Sequence, residues 1–274
     1  MINGWFDLLG TKTGRKHGEI KMSIQFISKD SQEERTHIME DAYFPAREGC
    51  QMTLYQDANT PQLPVFDGLC HPNGSSYVAT NAWKDLYDCI TNAQKFIYIT
   101  GWSVNTNIQL LRGEDDPEGK SNVGELLKAK AEDGVCVLLL LWDEPASSSL
   151  GLMGTHCQET KDFFDNDTRV KCILVSREKA GVQTTFKDQS MVKFLYTHHQ
   201  KTVVCDAAFE NDESVRRIVA FIGGLDITNG RYDTPEFPLF KTIKNIHQGD
   251  FYQNNFPGIT EDMGPREPWV SYKA

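Results

Sequence analysis

The run Val135-Cys136-Val137-Leu138-Leu139-Leu140-Leu141-Trp142 limits what this chain can fold into more than any other stretch. It is apolar without interruption, so whatever it forms needs cover on both faces. A helix that crosses a bilayer needs about 20 apolar residues, and this run is far shorter. A surface helix would need a wet side, which the run lacks. A strand buried on both faces of a sheet meets both conditions. Similar apolar runs stand at residues 96–102, 170–175 and 218–222. Helical patterns fall between them. Trp83, Leu86, Tyr87 and Ile90 recur at helical spacing, which predicts an amphipathic helix over residues 81–94. Residues 124–133 read as a helix closed by Gly134. Thr155-His156-Cys157-Gln158 fits a capping box that opens a helix running to Phe164. Helices alternating with apolar strands predict an α/β fold, with helices flanking a mixed, largely parallel sheet. No internal repeat is evident.

The N-terminal stretch has a different character. Gly4-Trp5-Phe6-Asp7-Leu8-Leu9 leads into a turn-rich segment, and Glu19-Ile20-Lys21-Met22-Ser23-Ile24-Gln25-Phe26 then alternates polar with apolar. That alternation reads as a strand with one buried and one wet face, which needs partners to be stable. Residues 29–40 are charged and polar, a linker by composition. Met52-Thr53-Leu54-Tyr55 reads as a short strand ending at Gln56-Asp57, followed by loop to Ser76.

At 274 residues the chain is long enough for one large domain with a small appendage. Its net charge of −10 disfavours nucleic acid as a partner, because duplex phosphates repel it. The same charge gives no general attraction to anionic lipid, so membrane contact must be local or metal-bridged. The seven cysteines form no CxxC pair, which points away from zinc and towards reduced thiols in a cytoplasmic setting. Cys136, Cys172 and Cys205 lie in apolar runs, where a thiol behaves as a small hydrophobe. No charged start with an apolar core follows Met1, so no secretory signal is expected.

The chemistry concentrates in Thr197-His198-His199-Gln200-Lys201-Thr202-Val203-Val204-Cys205-Asp206. Residues two apart on a strand share a face, so His199 and Lys201 project side by side. An imidazole beside a fixed ammonium suits a phosphodiester: the cation holds anionic oxygens while the imidazole attacks phosphorus. Asp206 has the opposite parity, which suits bracing of the strand or a loop over contact with phosphorus. Gly223-Gly224, after a buried strand, permits close backbone approach or makes a plain turn.

His198-His199-Gln200-Lys201, Arg216-Arg217-Ile218-Val219, Gly223-Gly224-Leu225-Asp226 and Gly230-Arg231-Tyr232-Asp233-Thr234-Pro235 together resemble the phospholipase D family, in its calcium-dependent plant-type form. Tyr55-Gln56-Asp57-Ala58, Ile97-Tyr98-Ile99-Thr100-Gly101-Trp102-Ser103-Val104, Gly124-Glu125-Leu126-Leu127 and Gly264-Pro265-Arg266-Glu267-Pro268-Trp269 extend the resemblance over almost the whole chain. It implies that His199 is the nucleophile, forming a phosphohistidine with the phosphatidyl group and releasing the head-group alcohol. Water then yields phosphatidic acid. Lys201 would hold a non-bridging phosphate oxygen, Asp206 is the third catalytic-motif residue, and His198 is a supporting neighbour. The implied cofactor is calcium, with Asp57 as a metal ligand. The implied partners are a phosphatidylcholine-like substrate and a phospholipid membrane surface, reached by peripheral association from the cytoplasm. Residues 1–28 resemble the end of a C2 lipid-binding domain, and residues 29–274 a first catalytic lobe that is incomplete at its C-terminal end.

Three departures shape the expectation. Phe237 stands where the relatives usually place a calcium-binding His. Val270-Ser271-Tyr272-Lys273-Ala274 follows Trp269 where the relatives continue with His-Asp and a further His. The second lobe, with its own His/Lys/Asp set and the general acid, has no counterpart in the sequence. The chain therefore reads as a truncated phospholipase D carrying the first half-site. The alternatives are a homodimeric phosphodiesterase built from two such chains and a catalytically inactive lipid-binding or interaction fragment.

Overall fold

The computed structural model describes residues 2–9, 14–25, 49–55, 58, 68–70, 74–116, 118–144, 154–165, 169–176, 197–209, 212–253, 256 and 258–268. The expected linker at residues 29–40 and the residues after Pro268 lie outside the described residues. The chain divides into two compact units, Met1–Thr53 and Leu54–Ala274.

In the first unit β1 (Ile2–Leu9) pairs antiparallel with β2 (Lys16–Ile24). The register sets Ile2 opposite Ile24 and Phe6 opposite Ile20, so one face of the ribbon is apolar. Trp5 lies on the other face beside Lys21. Lys16 ties the two strands through Asp7 of β1 at 2.9 Å and pairs with Glu19 of its own strand at 2.6 Å.

The second unit is built on α1 (Ala82–Asn92), β3 (Phe96–Gly101), α2 (Val123–Glu132), β4 (Cys136–Trp142), α3 (Cys157–Asp165), β5 (Lys171–Val175), β6 (Thr202–Phe209) and β7 (Asp212–Ile222). Its five strands lie in the order β5-β4-β3-β6-β7. The pairs β3–β4 and β4–β5 are parallel, as strands joined through a helix must be. The pairs β3–β6 and β6–β7 are antiparallel. The sheet is mixed, as expected, and its parallel character is confined to the β5-β4-β3 half.

Local signals explain the helix ends. The Asn81 side chain accepts from Trp83 N at 3.0 Å and Lys84 N at 3.1 Å, and Asn122 does the same for Glu125 N at 3.0 Å. Gly134, at φ 89°, closes α2 as its sequence position predicts. The expected capping box on α3 is not made. The Thr155 hydroxyl donates to Glu144 Oε2 at 2.6 Å instead, and His156 meets Glu159. A buried carboxylate competes better for that hydroxyl than a backbone amide does. Residues 52–55 form no strand, contrary to the sequence pattern. Tyr55 is instead fixed by its side chain, donating to Asp85 at 2.8 Å and stacking on Phe221.

All three helices pack on one face of the sheet. Trp83, Leu86 and Ile90 of α1, Val123 and Leu127 of α2 and Phe164 of α3 share one core with Ile97, Ile99, Val137, Leu139, Leu141, Val203 and Cys205. The expectation that β4 is buried on both faces is therefore corrected. Its burial alternates: Leu139 is 1% exposed and Leu138 is 38% exposed. The helices that follow β3 and β4 cross the same side, leaving the other face without helical cover among the described residues. Leu139→Ala is expected to cost about 2–5 kcal/mol, the usual range for a buried leucine. Leu138→Ala is expected to cost about 1 kcal/mol or less. Urea midpoints of the two variants, at unchanged slope, check the difference.

Candidate active site

β6 runs antiparallel to β3, with Thr202 opposite Thr100. The residues just before β6 therefore meet the chain as it leaves β3. Lys201 keeps the parity of the core-facing residues Val203 and Cys205, and it is buried. Its Nζ lies 2.9 Å from Asp226 Oδ2, with the two side chains only 6% and 1% exposed. Asp226 Oδ1 accepts from the backbone of Trp102 at 3.0 Å and Ser103 at 3.2 Å. Taking both charges out of water costs several kcal/mol, which mutual attraction and the two amide donors must offset. Lys201 Nζ also donates to His199 O at 3.2 Å.

His199 is exposed, and its ring centre lies 5.8 Å from that of Trp102. Trp102 stacks on Trp142 at 5.9 Å and 13°. Lys201 Nζ is 5.8 Å from the Trp102 ring. An imidazole, an ammonium and two indoles thus share the edge of the sheet where β3 and β4 end and β6 begins. Gly101 is required here: a Cβ on it would lie 2.8 Å from Val104 Cγ2 and 3.5 Å from Asp226 Oδ1. The Asp226 segment is locked to the chain after β3 by Asn105 N donating to Ile227 O at 2.9 Å. The Ser103 hydroxyl adds a bond to Thr228 Oγ1 at 2.8 Å.

Asp206 sits at the other end of β6. Five residues from Lys201, it is roughly 16 Å further along the strand at about 3.3 Å per residue. Its Oδ1 accepts from Lys95 N at 2.8 Å, Phe96 N at 3.0 Å and Gln94 N at 3.1 Å. Arg216 Nε donates to Oδ2 at 2.8 Å, and Arg216 Nη2 reaches Asn92 O at 2.9 Å. Burial alone would push this carboxyl up. The amides of Phe96, Lys95 and Gln94 together with Arg216 outweigh it and hold the carboxyl below the usual range. Asp206 thus clasps the entry to β3, in keeping with its strand parity.

Behind the edge lies a buried polar cluster whose role the sequence alone does not assign. Arg112 Nη2 meets Asp250 Oδ2 at 2.8 Å, and its guanidinium stacks 4.0 Å from the Tyr232 ring centre. Asp250 Oδ1 accepts from Gly230 N at 2.8 Å. The Arg266 guanidinium binds Asp233, and Arg266 Nε donates to Pro238 O at 2.6 Å. His247 packs edge-on against Tyr232, with Nδ1 2.8 Å from Thr242 Oγ1. Burial, then the Arg266 and Arg112 guanidiniums, pushes its pKa down to about 3, so this imidazole is neutral at physiological pH. The cluster fixes the chain that follows Asp226. The Gly223-Gly224-Leu225-Asp226 and Gly230-Arg231-Tyr232-Asp233 motifs were the available signals, but partner and distance were not readable from them.

The expected metal ligand Asp57 lies outside the described residues. Phe237 is half-buried at φ 45°, and its side chain offers no metal-ligating atom. Among the described residues no group of three or more His, Cys, Asp or Glu side chains is arranged to hold a metal ion. Nor is any helix among them long and apolar enough to cross a membrane.

Residues 89–273 match the family model for phospholipase D. The chain belongs to the phospholipase D family. It is 44% identical over 233 residues to phospholipase D beta 2 of Arabidopsis thaliana, covering 83% of this chain and 24% of that protein. It is 46% identical over 242 residues to phospholipase D alpha 1 of Ricinus communis, covering 83% of this chain and 29% of that protein. Against phospholipase D alpha 1 of Vigna unguiculata the figures are 41% over 288 residues, 98% and 35%. The chain thus spans 24% to 35% of the length of these phospholipases D.

The Asp206 clasp makes a pH-dependent prediction about stability. Because its folded pKa is depressed, its contribution is present above the ordinary carboxylate value of about 4 and is lost as pH falls through the folded value. Asp206→Asn is expected to destabilise by about 3 kcal/mol at neutral pH, leaving Arg216 without its counter-charge. The gap from wild type should narrow progressively below about pH 4. Chemical denaturation of both proteins across that range checks it.

Proposed function

We propose that the chain carries one half of a phospholipase D active site, acting on phosphatidylcholine-type glycerophospholipids at a membrane surface. The buried Lys201–Asp226 pair beside the exposed His199 carries this reading. A lysine held rigidly by a carboxylate presents fixed positive charge to a phosphate oxygen without reorganising when substrate arrives. The Trp102–Trp142 stack supplies an apolar wall next to it.

In the proposed reaction Lys201 holds a non-bridging oxygen while a ring nitrogen of His199 attacks phosphorus. The P–N bond forms as the bond from phosphorus to the head-group oxygen breaks. That oxygen takes a proton from a general acid supplied outside the described residues, by a second lobe or a second copy of this chain. Water then attacks phosphorus, returning a proton to the group that acted as the acid; the P–N bond breaks, and phosphatidic acid leaves. Asp206 acts at a distance by fixing the strand that carries Lys201, so it is a positioning residue. Asp226 positions Lys201 directly.

Calcium remains the implied cofactor, with Asp57 as its candidate ligand. Calcium takes 6–8 oxygen ligands, and the described residues do not compose such a set, so no step above is routed through it. Residues 1–28 are read as the end of a C2 domain, consistent with an antiparallel ribbon with one apolar face, and residues 29–274 as the first catalytic lobe.

Orthovanadate, a phosphate mimic that accepts an imidazole nitrogen as ligand, tests the half-site. Titration of the full chain should produce a saturable shift of the His199 ring resonances that is lost in Lys201→Ala. A folded wild type showing no such shift would overturn the reading. Choline release from phosphatidylcholine vesicles then separates the sources of the acid. A missing general acid is worth on the order of 10²–10⁴-fold. The chain alone should therefore fall short of a complete phospholipase D by about that factor. Activity that rises with the square of protein concentration and vanishes in His199→Ala would identify a homodimer. Rates equal to those of His199→Ala, alongside a vanadate response, fit a half-site awaiting its second lobe. Equal rates with no vanadate response fit an inactive fragment.

A further inference from the structure

Residues of the β3–α2 connection and of the chain that follows Asp226 line a cleft of about 410 Å³. Small-molecule sites usually measure about 300–1,000 Å³. Hydrogen bonds within the fold fix both walls. On one side Asp116 accepts from Lys120 N at 2.8 Å and Ser121 N at 3.0 Å, while Leu110 N donates to Ser121 O at 3.1 Å. Arg112 Nη1 then donates to Ile246 O at 3.0 Å, which ties this wall to the other.

Unused hydrogen-bonding capacity converges on the cleft. The exposed side-chain amides of Asn107 and Gln248 line it, and neither has a partner among the described residues. Gln109 uses only Oε1, which accepts from Ser121 Oγ at 3.2 Å. Asn245 uses only Oδ1, which accepts from Ile246 N at 2.6 Å. Both therefore keep an amide NH2 to donate. The charged members of the lining that are buried are Arg112 and Asp250, ion-paired at 2.8 Å with side chains 8% and 2% exposed. Arg112 Nε and Asp250 Oδ2 have no hydrogen-bond partner among the described residues. One ion pair thus carries an unused donor and an unused acceptor.

These groups define the chemistry of a ligand. A side-chain amide offers donor and acceptor together and carries no charge. A hydroxyl matches it in both roles, and a hydroxyl that reaches the ion pair can accept from Nε and donate to Oδ2 at once. A phosphate or carboxylate brings acceptors only, and it would face two carboxylates, Asp116 and Asp250, against one guanidinium. Among the described residues no three His, Cys, Asp or Glu side chains are grouped to hold a metal ion, so a cation fits no better. Leu111 and Ile246 add aliphatic surface for the C–H face of a ring.

We propose that this cleft is a binding site for a neutral, hydroxyl-rich small molecule, a sugar or polyol, recognised by Asn107, Gln109, Asn245 and Gln248 together with the Arg112–Asp250 pair. The ligand is held, and no covalent bond changes. The site goes beyond the lipid chemistry proposed for His199 and Lys201 and does not depend on it.

Saturation-transfer NMR on the full chain tests the site, with sucrose, D-glucose and myo-inositol as probes. At least one probe should take up saturation from the protein and titrate to a plateau. Asn107→Leu combined with Gln248→Leu removes two exposed amides, so the thermal midpoint should stay at the wild-type value. The same double variant should bind that probe about tenfold more weakly, as the loss of two hydrogen bonds implies. Inorganic phosphate should not displace the probe, and His199→Ala should bind it as wild type does. A failure of the phosphate half-site therefore leaves this result intact. Saturation transfer to none of the three probes overturns the proposal. So does a signal that is unchanged in the folded double variant, or one that inorganic phosphate abolishes.

Discussion

The antiparallel pairing of β6 with β3 is the constraint on which the second unit depends. It brings the start of β6 to the end of β3 and the end of β6 to the start of β3. Each meeting point is then closed by a carboxylate. At one end Asp226 receives Lys201 and two amides of the chain leaving β3. At the other, Asp206 receives three amides of the chain entering β3 and the Arg216 guanidinium. A slip of the pairing by one residue would turn Lys201 away from Asp226 and Asp206 away from those amides. Register and site are the same requirement.

The division of labour between the two carboxylates separates chemistry from support. Lys201 stands next to an exposed imidazole and two indoles. Asp206 stands at the far edge and acts on backbone. Behind the first edge, the buried pairs Arg112–Asp250 and Arg266–Asp233 hold the chain that follows Asp226, with Asp250 also accepting from Gly230 N. Such networks are costly to break at one member, since the remaining partner is left buried and unpaired.

Much of the second unit was legible in its sequence. Period and capping residues located α1, α2 and β3 to β7, because each pattern reflects local geometry. The parity read for Asp206 against His199 and Lys201 assumed one strand through all three, whereas β6 begins at Thr202, with His199 exposed and Lys201 buried just before it. Three features were not legible. The open face of β4 depends on which side the crossover helices take, and an all-apolar run does not encode that. Thr155 obeyed a capping pattern yet gave its hydroxyl to Glu144, a partner supplied by the fold. Asp226 was visible within a motif, but its pairing with Lys201 bridges distant parts of the chain and appears only when the sheet is assembled.

That distance bears on how the protein reaches its native state. β6 and β7 are neighbours in sequence and can zip as a hairpin within microseconds. β3 and β6 pair across about a hundred residues, and closing a loop of that length costs roughly 4 kcal/mol of chain entropy before any contact offsets it. Contacts between remote segments slow folding. The edge bearing His199 and Lys201 is therefore among the last parts of the molecule to form. A newly made chain acquires its strands and helices well before the Lys201–Asp226 contact can close.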